Sequence, residues 1–153
     1  MSIDMELEFN WSRFEDLTTL EFHDIIQARE SVFVVEQECA YPEVDGADIH
    51  AWHLCVKQAG TLVAYARIFG PGIKYEEASI GRVMTLLEHR GKRLGHPLMQ
   101  EAIRFTEEQF PGAGIKIGAQ ARLQAFYESL GFARSSEPYD EDGIMHIEML
   151  KTV

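Results

Sequence analysis

The segment Ser79-Ile-Gly-Arg-Val-Met-Thr-Leu-Leu-Glu-His-Arg-Gly-Lys-Arg-Leu-Gly-His-Pro-Leu-Met99 decides the fold of this chain. It begins as an apolar strand, passes through a basic turn that contains two glycines, and continues into an amphipathic helix. Gly91 and Gly95 allow a tight turn and a close approach of the backbone to a ligand. The first N–H groups of the helix lack carbonyl partners and carry the positive end of the helix dipole. The segment therefore predicts a binding site for phosphate groups.

Positive charge is concentrated in this turn. Residues 81–97 contain four basic side chains and one acidic one, whereas the whole chain has a net charge of −11. Residues 1–50 hold 13 of the acidic side chains against two arginines. Most of such a surface would repel DNA or RNA, so we expect no nucleic-acid partner. A small phosphorylated ligand can still dock at the basic turn.

Length and composition predict a single globular domain over residues 1–153. The chain is 46% hydrophobic and 25% charged, and it lacks an apolar run of the ~20 residues that cross a bilayer. We therefore expect no membrane association. The first eight residues are acidic where a signal peptide would be basic, which favours a cytoplasmic location.

The cysteines and histidines do not form a metal-binding pattern. Cys39 and Cys55 are expected to be free thiols, since two isolated cysteines match no metal-ligand spacing. Two histidines and two aspartates within residues 45–53 could hold a metal on composition. His50 and His53 would however face opposite sides of a strand, so no metal is predicted.

The order of predicted elements indicates an α/β domain with a mixed, mainly antiparallel central sheet flanked by helices. Strands are predicted by short apolar runs with alternation, and helices by apolar spacing, caps and terminal glycine or proline. The predicted strands are Leu7–Trp11, Ala51–Val56, Thr61–Phe69, Ser79–Thr85, Ile115–Ala119 and Met145–Lys151. The predicted helices follow the capping box Thr18-x-x-Glu21 and cover Gly95–Phe110 and Arg122–Leu130, the last ending at Gly131.

Arg29 falls on the apolar face of the first predicted helix, in line with Phe22, Ile25 and Phe33. A buried arginine must be paired with an acceptor. We therefore expect Arg29 to meet a carboxylate or carbonyl inside the fold and to tether this helix to the sheet.

Two motifs resemble the GNAT N-acetyltransferase superfamily. Arg90-Gly91-Lys92-Arg93-Leu94-Gly95 resembles its Arg/Gln-x-x-Gly-x-Gly/Ala signature, which grips the pyrophosphate of acetyl-coenzyme A (acetyl-CoA). Arg93 replaces the first glycine, and a helical or bridge-like backbone is expected there. About thirty residues later, Gln120–Phe132 contains the Phe-Tyr-x-x-x-Gly-Phe pattern of the late helix of the same superfamily. The interval between the two motifs has the length of one helix and one strand.

More specifically, the chain resembles the ElaA-like branch of this superfamily. The likeness covers nearly the whole chain and is carried by Arg29-x-x-Val-Phe-Val-Val-Glu-Gln37, Tyr41-Pro-Glu-Val-Asp-Gly-x-Asp48, Gly118-Ala-Gln120 and Asp142-Gly-Ile-x-His-Ile147. Part of the first two motifs is also similar to acyl-homoserine-lactone synthases. Those enzymes are longer and use S-adenosylmethionine, so they remain a secondary interpretation.

The resemblance implies an acetyl-CoA-dependent N-acetyltransferase of the GNAT (acyl-CoA N-acyltransferase) fold. In relatives the strand before the phosphate turn splays from its neighbour, and its backbone pairs with the pantetheine arm of the coenzyme. A backbone amide near the thioester stabilises the oxyanion. The coenzyme-binding residues implied here are Val83, Met84, Thr85, Arg90, Gly91, Lys92, Arg93, Leu94, Gly95, His96 and Gln120.

The same resemblance implies catalytic roles. Tyr127 matches the tyrosine that protonates the departing thiolate, and its hydroxyl is a competent donor at neutral pH. The base that removes a proton from the attacking amine is left open between His53, His146 and Glu36. Arg29, Glu36 and Asp45 are the candidate acceptor-binding residues.

The expected partner is a small-molecule or protein-borne amine, with a cationic acceptor suggested by the acidic charge, and a homodimer is compatible with the sequence. A coenzyme-binding module without catalysis is the alternative from another functional class.

Overall fold

In a computed structural model, which describes residues 7–39 and 42–153, the predicted helices and strands follow one another in the predicted order. The strands are β1 (Leu7–Arg13), β2 (Trp52–Gln58), β3 (Thr61–Phe69), β4 (Ser79–Thr85), β5 (Ile115–Gln120), β6 (Ala133–Arg134), β7 (Tyr139–Glu141) and β8 (Ile144–Lys151). The α-helices are α1 (Thr19–Arg29), α2 (Gly95–Gln109) and α3 (Gln124–Glu128). A π-helix covers Glu30–Glu36, and short 3₁₀ helices cover Phe14–Asp16, Asp48–His50, Leu87–Lys92 and Ala121–Leu123.

The strands form two half-sheets that meet at one point. The first has the order β1-β2-β3-β4, all antiparallel, and the second has β5-β8-β6 with β7 also on β8. A parallel bridge joins Ala78 to Ile115, where the Lys116 N–H donates to the Ala78 carbonyl at 2.8 Å. Among the described residues no further pairing joins β4 to β5. The two strands therefore diverge from this point, and a cleft opens between them.

The β2–β3 hairpin connects through a two-residue turn. Ala59 and Gly60 both have positive φ, +52° and +79°, the conformation that matches the twist of two paired strands. The predicted turn of four residues is therefore too long, because β2 continues to Gln58.

The half-sheet β1-β2-β3-β4 is buried on both faces because neighbouring residues alternate between two cores. Leu54 and Ala64 point into the main core with α2, whereas Cys55 and Tyr65 point into a second core beneath α1. Ile25 of α1 is 1% exposed in that second core. This two-sided packing explains the dense apolar runs of β2 and β3.

Helix α1 begins with the capping box that the sequence predicts. The Thr18 hydroxyl accepts from the Glu21 N–H at 3.0 Å, and the Glu21 carboxylate accepts from the Thr18 N–H at 2.9 Å. The chain does not stay α-helical through Phe33, since it widens into the π-helix after Arg29. A π-helical segment of this kind is often found at functional sites.

Two further details differ from the sequence-based prediction. The late helix is shorter than predicted, with a 3₁₀ turn followed by only five α-helical residues, although Gly131 has the expected left-handed φ of +99°. The short strands β6 and β7 were not predicted, because runs of two and three residues carry too little pattern. In the described ranges, helices are too short or too polar to cross a bilayer.

Candidate active site

The cleft where β4 and β5 diverge is the candidate active site, with a cavity of about 240 Å³. Its floor comes from β4 and β5, one wall from α3 and β8, and its rim from the π-helix and the loops beside it. The lining residues are Phe33, Gln37, Cys39, Lys74, Ile80, Gly81, Arg82, Val83, Ile117, Gly118, Ala119, Gln120, Leu123, Tyr127, Glu141, Asp142, Ile144 and His146.

β4 contains a bulge beside the cleft. Its register with β3 shifts between Tyr65 and Arg67, and Arg82 adopts a left-handed φ of +49°. A bulge of this kind re-aims the backbone locally. Of the three strand residues predicted to meet the coenzyme, Val83 lines the cleft and Met84 packs into the second core. The carbonyl of Thr85 already accepts a hydrogen bond from Arg90 at 3.0 Å.

The turn before α2 has a different backbone from the predicted one. Residues Leu87–Lys92 form a 3₁₀ helix, and Arg93 adopts the left-handed conformation, with φ +56° and ψ +43°. The prediction of a helical or bridge-like Arg93 is therefore wrong. The left-handed position coincides with the first glycine of the signature, a residue that adopts this conformation without strain. Gly91 and Gly95 do not have positive φ.

The start of α2 retains the features of an anion site. Leu94 is the N-cap, with no side-chain cap, and the Leu98 N–H is the donor to the Leu94 carbonyl at 3.0 Å. The N–H groups of Gly95 and His96 precede the first intrahelical bond, and Pro97 has no N–H. A Cβ on Gly95 would lie 3.7 Å from the Phe126 ring, an ordinary contact. The side chain of Lys92, a predicted phosphate contact, lies outside the described part, as does Tyr41 of the ElaA-like motif.

Arg90 connects the turn to the π-helix. Its guanidinium donates to the Glu36 carboxylate at 2.7 Å as well as to the Thr85 carbonyl. Both side chains are about one-third exposed. Glu36 is therefore paired with a cation beside the turn that precedes α2 and is not among the residues that line the cleft.

Tyr127 faces the cleft from α3. Its ring is held by edge contacts to Phe126 and Phe132, with centroids 5.1 and 6.0 Å away. Burial raises the pKa of the Tyr127 hydroxyl to about 12, so the group stays protonated at neutral pH. Within residues 7–39 and 42–153 this hydroxyl has no hydrogen-bond partner. Because Tyr127 lines the cavity, this hydroxyl is available to a bound ligand.

His146 and Gln120 lie opposite each other on β8 and β5 and both line the cleft. One ring nitrogen of His146, Nδ1, is 2.8 Å from the Ile144 carbonyl, and Nε2 is 3.3 Å from the Glu141 carboxylate. The Ile144 carbonyl can only accept, so Nδ1 carries a proton. Nε2 is the ring nitrogen that the Ile144 carbonyl does not engage, and it lies beside the Glu141 carboxylate. The Gln120 side-chain oxygen accepts from Arg122 at 3.0 Å.

His53 is in the core and not in the cleft. It is 0% exposed, with Nδ1 2.6 Å from the Tyr65 hydroxyl and Nε2 2.9 Å from the Asp48 carbonyl. Burial lowers the pKa of His53 and keeps it neutral. Both nitrogens are occupied and solvent is excluded, which argues against His53 as the base.

A buried ionic network explains the other predicted acceptor residues. Arg29 is fully buried and donates to Glu43 and Asp48, each at 2.6 Å. The predicted internal pairing of Arg29 is confirmed, and this location is incompatible with contact to an acceptor. Because its partners lie in the 42–48 segment, Arg29 attaches that segment to α1.

Asp45 belongs to the same network. Asp45 makes a bidentate ion pair with Arg67, with N–O distances of 2.9 and 3.0 Å, and its carboxylate lies 3.5 Å from the Arg82 guanidinium. Burial opposes its ionisation, but hydrogen bonds and charge from Arg67, with Arg82, hold the pKa of Asp45 well below its usual range. Asp45 is thus committed to arginines instead of being open to a substrate amine. The network links the 42–48 segment to the β4 bulge through Arg82 and Glu43, 2.9 Å apart.

Sequence reasoning missed several cleft residues, among them Lys74, Cys39 and Glu141. Lys74 is in the β3–β4 connection, Cys39 donates its thiol weakly to the Gln37 and Asp142 carbonyls, and Glu141 pairs with His146. Of these three, only Glu141 could have been noticed from the sequence, because it directly precedes the Asp142–Ile147 motif. Among the residues described, no three His, Cys, Asp or Glu side chains are grouped to hold a metal ion.

Comparison with known proteins agrees with this geometry. Residues 26–153 match the family model of the acetyltransferase (GNAT) domain, and the chain belongs to the GNAT acetyltransferase family. Transfer of an acetyl group from acetyl-CoA to an amine is the general reaction of that family.

Within this family the chain is ElaA-like. It is 37% identical to ElaA of Escherichia coli over 149 residues, covering 96% of this chain and 97% of that protein. It is 40% identical to a UPF0039 protein of Synechocystis over 95% of this chain and 96% of the relative. A crystal structure of an acyl-CoA N-acyltransferase from Pseudomonas aeruginosa has a TM-score of 0.92 at 39% identity, covering 96% and 100% of the two chains.

The predicted GNAT fold is confirmed by that structure and by the crystal structure of ElaA, which has a TM-score of 0.90. The acyl-homoserine-lactone synthase LasI has a TM-score of 0.78 but is 12% identical, a likeness that shows the fold alone.

Proposed function

We propose that this chain transfers the acetyl group of acetyl-CoA to a primary amine by direct attack in a ternary complex. The observation that carries the proposal is the Tyr127 hydroxyl, which faces the β4–β5 cleft without a partner among the described residues. A proton donor that is buried and protonated at neutral pH suits the departure of a thiolate.

Two features support the proposed binding site of acetyl-CoA. The free edge of β4 after Ala78 offers backbone N–H and C=O groups to an extended amide-containing arm. The N–H groups of Gly95 and His96, which precede the first intrahelical bond of α2 and lie beside Arg90 and Arg93 in the chain, suit a diphosphate. Acetyl-CoA supplies an activated thioester, and these residues bind and orient it. Arg90 must exchange its Glu36 carboxylate for phosphate, or share between them, to take part.

His146 is the proposed base among the three candidates. It lines the cleft, and because its Nδ1 is engaged by the Ile144 carbonyl, Nε2 is the ring nitrogen proposed to take the proton of the amine. Glu36 is paired with Arg90, and His53 is enclosed, so neither competes well for this role.

The acceptor is proposed to be a cationic amine, either a small molecule or a protein-borne lysine or N-terminus. Glu141 and Asp142 form part of the cleft lining, and Arg82 beside them is matched by Glu43 and Asp45. The rim therefore has acidic groups that can attract an ammonium ion. Such chemistry fits a cytoplasmic enzyme, where acetyl-CoA is available.

The test is a thiol-release assay with acetyl-CoA over polyamines, amino acids and lysine peptides, in the wild type and two variants. Tyr127→Phe should lower turnover by about 10²-fold with little change in the coenzyme KM. Tyr65→Phe removes a hydroxyl from the core outside the cleft and should keep turnover, checked against its melting temperature.

The alternative is a coenzyme-binding module without catalysis. That alternative gains support if acetyl-CoA binds but no amine of the panel releases thiol above the rate of hydrolysis. Equal turnover of the Tyr127→Phe variant and the wild type would contradict the role of Tyr127.

A further inference from the structure

Lys74 stands out among the lysines because of where its amine lies. It is in the connection between β3 and β4, and it lines the same cleft as Tyr127 and His146. Its Nζ lies 5.4 Å from the centroid of the Tyr75 ring. In the part of the chain that the structure describes, Lys74 makes no ion pair with a carboxylate. Within the described ranges, the contact recorded for its amine is the face of this aromatic ring.

The other lysines with described side chains are all ion-paired. Lys57 pairs with Glu21 at 3.8 Å, Lys116 with Glu148 at 3.0 Å and Lys151 with Glu107 at 2.7 Å. None of these three lines the cleft. Lys116 is the closest match to Lys74, because its Nζ also lies over Tyr75, at 5.2 Å.

The surroundings of Lys74 favour its neutral, nucleophilic form. Although the residue as a whole is exposed, desolvation of the amine lowers its pKa. The charges of Arg82 and Arg67 lower the pKa further, while Glu141 and Asp45 oppose them. An amine must lose its proton before it can attack a carbonyl carbon, so a lowered pKa increases the reactive fraction at neutral pH.

We propose that Lys74 is a site of self-acetylation, in which the protein's own cleft delivers the acetyl group to this side chain. The inference rests on the proposed function. The lysine Nζ forms a bond to the thioester carbonyl carbon, and the carbon–sulfur bond breaks. Tyr127 gives a proton to the departing thiolate. The proton lost from Nζ passes through solvent to Tyr127 and restores its hydroxyl. The products are acetyl-lysine and the free coenzyme thiol.

The modification would regulate the same cleft. Acetylation removes the positive charge of Lys74 and adds bulk to the wall of the cavity. An acceptor amine would then meet a narrower and more acidic site. The four-carbon stem of lysine allows the amine to leave Tyr75 and reach into the cleft.

The experiment is incubation of the purified full chain with acetyl-CoA alone, followed by peptide mass spectrometry over time. Lys74 should be acetylated at least about tenfold faster than Lys57 and Lys116, because an amine positioned beside the bound thioester has a high effective concentration. The rate per molecule should not change over a tenfold range of protein concentration. It should fall at least about tenfold in Tyr127→Phe.

Acetylation of Lys74 at the rate of Lys116, or at a rate proportional to protein concentration, would overturn the inference. This comparison is made within the wild-type chain, so it does not depend on the folding of a variant. Release of thiol with free amines but without acetylation of Lys74 would reject this inference and leave the proposed function intact. Failure of both reactions would reject both.

Discussion

At the scale of the residue, the side chains of the site divide into those that stay available and those committed to the fold. Tyr127 and His146 face the cleft, whereas Arg29, Asp45 and His53 are held by partners inside the protein. A buried arginine between two carboxylates is costly to leave unpaired. Arg29 and His53 are buried and therefore support the fold, and Asp45 is engaged by Arg67.

His146→Asn should lower turnover by about 10²-fold, because asparagine keeps a polar side chain but cannot accept the amine's proton. The KM for acetyl-CoA should change little. Steady-state kinetics on one responsive amine checks this, with His50→Asn as the control, since His50 is exposed and does not line the cleft. Equal losses in both variants would remove His146 from the mechanism.

Local sequence patterns predicted the environment of single residues well, whereas features that depend on contacts between distant residues were not predicted. The Thr18–Glu21 capping box needs only local spacing, and the burial of Arg29 follows from its place on an apolar stripe. The left-handed Arg93 was not predictable, because it depends on how the surrounding turn is held. Lys74 belongs to no motif, and only the folded chain brings it to the cleft.

At the scale of the element, the site depends on one strand and one helix start. β4 leaves β5 after a single bridge, and the bulge at Arg82 lies beside the opening. The turn that follows β4 leads into α2, whose first N–H groups precede its first intrahelical hydrogen bond. The order of these elements was predicted from sequence. The divergence was implied only by the family resemblance, because neither strand lacks β propensity at that point.

Gly95→Asp should weaken acetyl-CoA binding by at least about tenfold, or about 1.4 kcal/mol. The new carboxylate would repel a diphosphate at the positive end of α2. Space around the added Cβ is adequate, so the fold should survive. Calorimetric titration with acetyl-CoA measures the affinity. The control Gln109→Glu adds the same charge at the far end of α2 and should bind acetyl-CoA with the affinity of the wild type. Unchanged affinity in Gly95→Asp would contradict the assigned phosphate site.

At the scale of the whole molecule, two cores on opposite faces of the β1–β4 half-sheet leave the cleft as a gap between half-sheets. The ionic network bridges α1, the 42–48 segment and the β4 bulge, so it ties global stability to the shape of the site. The GNAT fold could be identified from two motifs in the right order. The network could not, since its members are up to 53 residues apart, from Arg29 to Arg82.

Lowering the pH from 7.5 to 5.5 should lower the unfolding temperature. Burial, together with the charges of Arg29 and Arg67, lowers the pKa of folded His53 below the unfolded value of about 6.5, although Asp48 opposes the shift. The unfolded chain therefore binds the proton more readily, and stability is lost as the pH falls through that range.

Thermal unfolding at the two pH values checks this prediction. His53→Gln should reduce the pH dependence, and exposed His23→Gln should leave it unchanged. A pH dependence that persists fully in His53→Gln would show that other groups cause it.

The most direct measurement is a crystal structure of the chain grown with acetyl-CoA. The account predicts the pantetheine arm along β4 in the cleft, the diphosphate at the N–H groups of Gly95 and His96, and the Tyr127 hydroxyl within hydrogen-bond distance of the thioester sulfur. A coenzyme bound on another surface, or a Tyr127 hydroxyl turned away from the sulfur, would contradict it.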